Sequence, residues 1–125
     1  MGECLMLPVK IDLPGHYTGD TWPGLTIGPV LFNDAQPEYA LASCRLYFRD
    51  SKTRSLSLGF QSEPLTGFTA MTILDPITWV IHIPAQQIPL VAGTYVWDFE
   101  TTDSAGVVRT LYYGLQTVTE DISHD

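Results

Sequence analysis

Asp98 and Glu100 are the residues of this chain whose spacing comes nearest to a catalytic pair. They lie two apart on an alternating segment, so a strand would set both carboxylates on one face, about 7 Å apart. That separation suits acid–base work on a glycoside. Nothing else in the sequence builds a cleft around them, and two acids on a solvated strand face are common. His16, His82 and His124 have no partner at metal-ligand spacing and read as surface histidines. Gly19-Asp20-Thr21 holds no basic residue and opens no helix, so it reads as turn hydrogen bonding and not as a phosphate cradle. Trp22, Trp79 and Trp97 could stack on sugars, but Trp79 and Trp97 share phase with buried aliphatics and read as core. Phase does not assign Trp22. Tyr47 and Tyr112 read as outward aromatics able to cover contact area at low entropic cost.

The charge pattern is more telling. The chain has 125 residues and a formal net charge of −8, with Lys and Arg totalling 6. That balance disfavours nucleic acid as a partner. Four of the cations, Arg45, Arg49, Lys52 and Arg54, nevertheless crowd into ten positions. They make either a solvated strand edge and loop or a docking patch for an acidic partner subunit. Cys4 and Cys44 have no metal-like spacing. Cys44 alternates with apolar residues and reads as a small buried side chain, with a Cys4–Cys44 disulfide left open. No catalytic, cofactor or metal site is expected.

These residues must be positioned by strands. At 45% apolar content the chain is expected to fold as one domain with one core. No apolar run is long enough to span a membrane, and the start lacks the features of a signal peptide. A cytoplasmically made protein with no membrane partner is expected. Trp79, Ile81 and Ile83 alternate, as do Tyr95, Trp97 and Phe99, and period two over this length marks half-buried strands. Residues 94–101 and 107–118 read as the longest hairpin, turning through Gly106. In the segment 40–49, Ala42, Cys44, Leu46 and Phe48 are expected to point inward, and Ser43, Arg45, Tyr47 and Arg49 outward. Residues 9–13 predict a first strand, and 25–32 a short or edge strand broken by Pro29. Residues 85–90 predict one helical turn between Pro84 and Pro89. Gly114 predicts a bulge in the last strand. The organisation is an arm (1–8), an immunoglobulin-like antiparallel β-sandwich of seven to eight strands (9–119) and an acidic tail (120–125).

Several segments carry a resemblance. They are Gly19-Asp20-Thr21, the strand from Ala42 to Arg49, Ile81-His82-Ile83-Pro84-Ala85, and the run from Leu90 through Gly93-Thr94-Tyr95-Val96-Trp97-Asp98-Phe99. Asp103-Ser104-Ala105-Gly106-Val107-Val108-Arg109 and Leu111-Tyr112-Tyr113-Gly114-Leu115 complete the set. Together they resemble the small immunoglobulin-like proteins of phage and prophage tail regions, and the N-terminal domain of siphophage upper-baseplate proteins. The pattern departs from that family at Pro23, Pro29 and the first eight residues. The resemblance implies a non-enzymatic virion protein of tail or baseplate. It would link tail subunits to a fibre or receptor-binding protein, in a symmetric multimer, with Arg45, Arg49, Lys52 and Arg54 as charged contacts. A capsid decoration protein and a carbohydrate-binding module using Trp22 and Tyr112 are the alternatives.

Overall fold

The computed structural model describes residues 8–63 and 69–120. Ten strands form: β1 (Val9–Lys10), β2 (His16–Tyr17), β3 (Leu25–Ile27), β4 (Leu41–Asp50), β5 (Leu56–Gln61), β6 (Thr69–Ala70), β7 (Thr72–Asp75), β8 (Val80–Ile83), β9 (Gly93–Asp103) and β10 (Val108–Thr119). The larger sheet runs β1-β10-β9-β4-β5-β6, with β2 also paired to β10, and the smaller sheet runs β3-β8-β7. The chain passes from one sheet to the other at buried Met71, between β6 and β7. This is an all-β sandwich, as the alternation predicts. Its layers follow the immunoglobulin plan, with β3, β8 and β7 in one sheet and β5, β4, β9 and β10 in the other.

The two strands of the long hairpin are long because their alternate residues all have a core to face. In β9, Tyr95, Trp97, Phe99, Thr101 and Asp103 are buried while their neighbours are half-buried. Gly106 takes φ 85°, the left-handed conformation that closes the turn to β10. Tyr95, two residues into β9, donates its hydroxyl to Val91 O at 2.6 Å. That back-bond ties the start of the strand to the preceding connection, in the manner of an immunoglobulin tyrosine corner.

All three tryptophans are in the core, at 1 to 3% exposure. Trp22 stacks on Phe60 at 5.6 Å and meets Phe48 edge-on at 6.3 Å, so rings from both layers interlock. Burying an indole leaves an N–H to satisfy. Trp79 Nε1 donates to Tyr39 O at 2.9 Å and Trp97 Nε1 donates to Ile11 O at 3.0 Å. Cys44 is buried beside Met71, with a sulfur–sulfur separation of 3.7 Å, and burial pushes its thiol up to about 11.

Several expectations change. Pairing is not wholly antiparallel, since β1 and β2 lie parallel to β10 and β6 lies parallel to β5. Residues 85–90 form no helical turn; Gln86 instead exchanges backbone hydrogen bonds with Trp22 at 2.8 and 2.9 Å. Ala42 is exposed and Leu41 buried, because an irregularity between Leu41 and Ser43 resets the phase of β4. His16 is buried on β2 and is not a surface turn residue. The bulge in β10 falls between Thr110 and Tyr112, and Gly114 serves another purpose. A Cβ there would lie 1.8 Å from Ile11 O and 2.9 Å from Trp97 Nε1, so only glycine lets β1 and the indole approach. Apart from Pro8 and Glu120, the predicted arm and acidic tail lie outside the described residues, as does Cys4.

Candidate functional site

The outward face of the larger sheet gathers most of the chain's positive charge. Register sets out its rows. Tyr47 on β4 sits beside Asp98 on β9, Asp98 beside Tyr113 on β10, and Tyr113 beside Lys10 on β1. One row along in one direction are Arg45, Glu100 and Thr110; in the other are Arg49, Val96 and Leu115. Period-two geometry puts all of these side chains on one side of the sheet.

Each predicted cation has a distinct place in this layout. Arg45 is committed: its Nη2 lies 2.8 Å from Glu100 Oε1, and its guanidinium sits 4.9 Å from the Tyr47 ring centre. Arg49 lies over the same ring at 5.5 Å and reaches Arg54 O at 3.5 Å through Nη1. The loop between β4 and β5 is built on Asp50, whose Oδ1 accepts from Lys52 N at 2.8 Å and Thr53 N at 2.9 Å. Those amides hold the Asp50 carboxyl below the usual carboxylate range. The same loop places Arg54, at φ 62°, back toward the sheet, and leaves Lys52 outside the cleft.

A cleft of about 450 Å³ opens here, with Lys10, Arg49 and Arg54 around it, Asp98 between them, and Val96 and Leu115 as apolar wall. The two ion pairs among the described residues use Arg45 and Arg109. The other four basic residues form no ion pair among the described residues, and three of those four line this one cleft. Asp98 is half-buried, and its carboxyl is raised above the usual range by desolvation, with Glu100 adding to the rise and Arg49 and Arg45 opposing it. Asp98 and Glu100 do face outward together, but Glu100 is engaged by Arg45, so the pair is not a free acid and base.

Two predicted contact residues are corrected. Tyr47 points outward, yet it is only 8% exposed, being covered by Arg45 and Arg49 and bonded through its hydroxyl to Gln61 Nε2 at 2.5 Å. Tyr112 turns inward, because the bulge before it reverses the phase of β10; it stacks on Phe99 at 6.2 Å, and burial raises its phenol. The exposed aromatic of that strand is Tyr113, at 43%. Trp22 and Tyr112, the residues on which a sugar platform would rest, both pack inside. Lys10 is the cation of the cleft that the sequence did not reveal. Its polar place in an alternating strand was legible, but its parallel register beside Tyr113 was not.

No protein-family model matches the chain, and no curated protein does. Among solved structures it is similar to CopC from Methylosinus trichosporium OB3b, at 13% identity over 89% of each chain with a TM-score of 0.46. A likeness that slight bears no weight on function. Among the described residues no group of three or more His, Cys, Asp or Glu is placed to hold a metal ion.

Proposed function

We propose that the protein is a non-enzymatic assembly module, an immunoglobulin-like adaptor of a phage tail or baseplate. It would join tail subunits to a fibre or receptor-binding protein within a symmetric multimer. The placement in a virion rests on the sequence resemblance. The observation that carries the docking function is the gathering of cations outside ion pairs onto one sheet face of an acidic chain. Unpaired charge on a rigid sheet steers and registers a partner of opposite sign more than it stabilises the fold. The edge strands β3 and β7 of the smaller sheet offer backbone groups for a second contact by strand addition.

The experiment is particle incorporation. With Lys10, Arg49 and Arg54 reversed to Glu, the protein should fold normally by circular dichroism and be depleted from purified tails relative to the unaltered chain. Undiminished incorporation of the triple variant would end the docking reading. Absence of the unaltered protein from tails and baseplates would end the adaptor reading, and recovery on heads would point to capsid decoration.

A further inference from the structure

We infer that the cleft between Lys10, Arg49 and Arg54 is a receptor for an extended acidic segment of a partner protein, with Asp98 excluding an acid from the middle of that segment. The inference deepens the docking reading above and rests on it for the kind of partner.

The geometry limits the occupant. Lys10 on β1 and Arg49 on β4 are three inter-strand steps and one side-chain row apart, or about 16 Å between backbones. Side chains at i and i+4 of an extended peptide share a face and stand about 14 Å apart, within the reach of long lysine and arginine side chains leaning inward from those two positions. An extended segment with acids at i and i+4, crossing the strands, would therefore meet Lys10 at one end and the Arg49–Arg54 corner at the other. Between those ends the surface is Tyr113, Leu115 and Val96 around Asp98, with Leu115 37% and Tyr113 43% exposed. That middle stretch suits an uncharged or aliphatic residue and repels a third acid. A continuous polyanion such as nucleic acid would have to lay a phosphate over Asp98, which the segment avoids.

Asp98 supplies the selectivity against a third acid. The charged and titratable groups that face it are Arg45, Tyr47 and Arg49 from β4, Glu100 from its own strand, Tyr113 from β10, Lys10 from β1 and Arg54 from the loop. Its carboxyl takes up a proton at a higher pH than an ordinary aspartate. Among the described residues lining the cleft Asp98 is the acid, and its charge opposes an acidic occupant. A neutral residue at position 98 should therefore tighten binding at neutral pH.

The test is fluorescence anisotropy with the full chain and a fluorescein-labelled peptide, Glu-Ser-Leu-Ser-Glu, with capped ends. Arg49→Glu should weaken binding about tenfold, since it turns an attractive exposed pair into a repulsive one. Lys10→Ala, at an exposed position that needs no refolding, should weaken it by a smaller factor. Asp98→Asn should tighten it at pH 7, because it removes the acid from the cleft. Lys52→Glu, outside the cleft, should leave it unchanged. The inference is overturned if Lys52→Glu weakens binding as much as Arg49→Glu, if Asp98→Asn has no effect, or if an oligothymidylate of equal charge binds as tightly. Failure of the peptide with tail incorporation intact would remove the cleft as receptor and leave the adaptor role standing. Peptide binding by a protein missing from tails would do the reverse.

Discussion

Replacing Gly114 with Ala should unseat the first strand. The added methyl would lie 1.8 Å from Ile11 O and 2.5 Å from Ile11 C, both backbone atoms, so no side-chain rotation relieves the clash. Either β1 moves outward by more than 1 Å, on the order of a van der Waals shortfall, or β10 distorts within its ladder. The first is less costly, because β9 holds β10 by an extended antiparallel register. Moving the first strand breaks Trp97 Nε1 to Ile11 O at 3.0 Å, Ile11 N to Tyr113 O at 2.7 Å and Leu13 N to Leu115 O at 2.9 Å. At about 1 kcal/mol for each bond the loss is roughly 3 kcal/mol, with the buried indole at the upper end. For a domain of this size that corresponds to a fall in Tm of about 10 °C. Thermal unfolding followed by near-UV circular dichroism reads the melting and the loosened Trp97 together. A Tm within about 2 °C of the unaltered protein would refute the reasoning, since it would mean the close approach of Ile11 carries no free energy. The same substitution should weaken the acidic peptide, because Lys10 rides on β1.

Two further predictions follow from buried groups. Asp103, with its side chain 2% exposed, accepts from Ala105 N at 2.9 Å, Val107 N at 3.0 Å and Arg109 Nη1 at 2.9 Å. Desolvation alone would raise its carboxyl, but these donors prevail and hold it below the ordinary range. A depressed folded value means that its contribution is present above the unfolded pKa and is lost as pH falls through the folded one. Urea titrations should thus show stability falling below about pH 4, with that part of the fall missing in Asp103→Asn, which is also about 2 kcal/mol less stable at pH 7. Cys44, its thiol pushed up to about 11 and buried, should resist iodoacetamide at pH 8 in a Cys4→Ser background and react only as urea unfolds the chain. Labelling of the folded protein at the rate of a free thiol would contradict that.

Alternation made the layers legible because it depends only on which face is buried. It placed Trp97, Phe99 and the outward Asp98 and Glu100 correctly, since the extra residues of these ladders lie in β4 and β10 and not in β9; Trp79 is buried as expected, but at φ 61° in the turn before β8. It failed where an extra residue enters a ladder: at Ala42, and at Tyr112, whose phase turns on the irregularity after Thr110. It also could not show that Tyr47, outward by phase, is roofed by two arginines that stack better on a phenol than they pair with solvent. The basic cluster was visible as composition, but its division was not. Cross-strand register decides that Arg45 meets Glu100 and that Arg49 does not, and register is a long-range property of three strands. Lys10 was out of reach for the same reason, since a parallel pairing between the first and last strands leaves no local signature.

That parallel pairing has a mechanical consequence. The early strands β1 and β2 run in the same direction as β10, so residue 8 and residue 120 leave the sheet toward opposite ends. A pull applied between those two points loads the β1–β10 and β2–β10 bonds in shear, all at once, where an antiparallel terminal pair would be peeled open one bond at a time. Forced rupture is governed by the barrier to unfolding, and shear shares the load among Ile11, Leu13 and Thr18 backbone bonds before any one gives way. A domain strung this way transmits tension along its length while keeping the outward face of its larger sheet assembled.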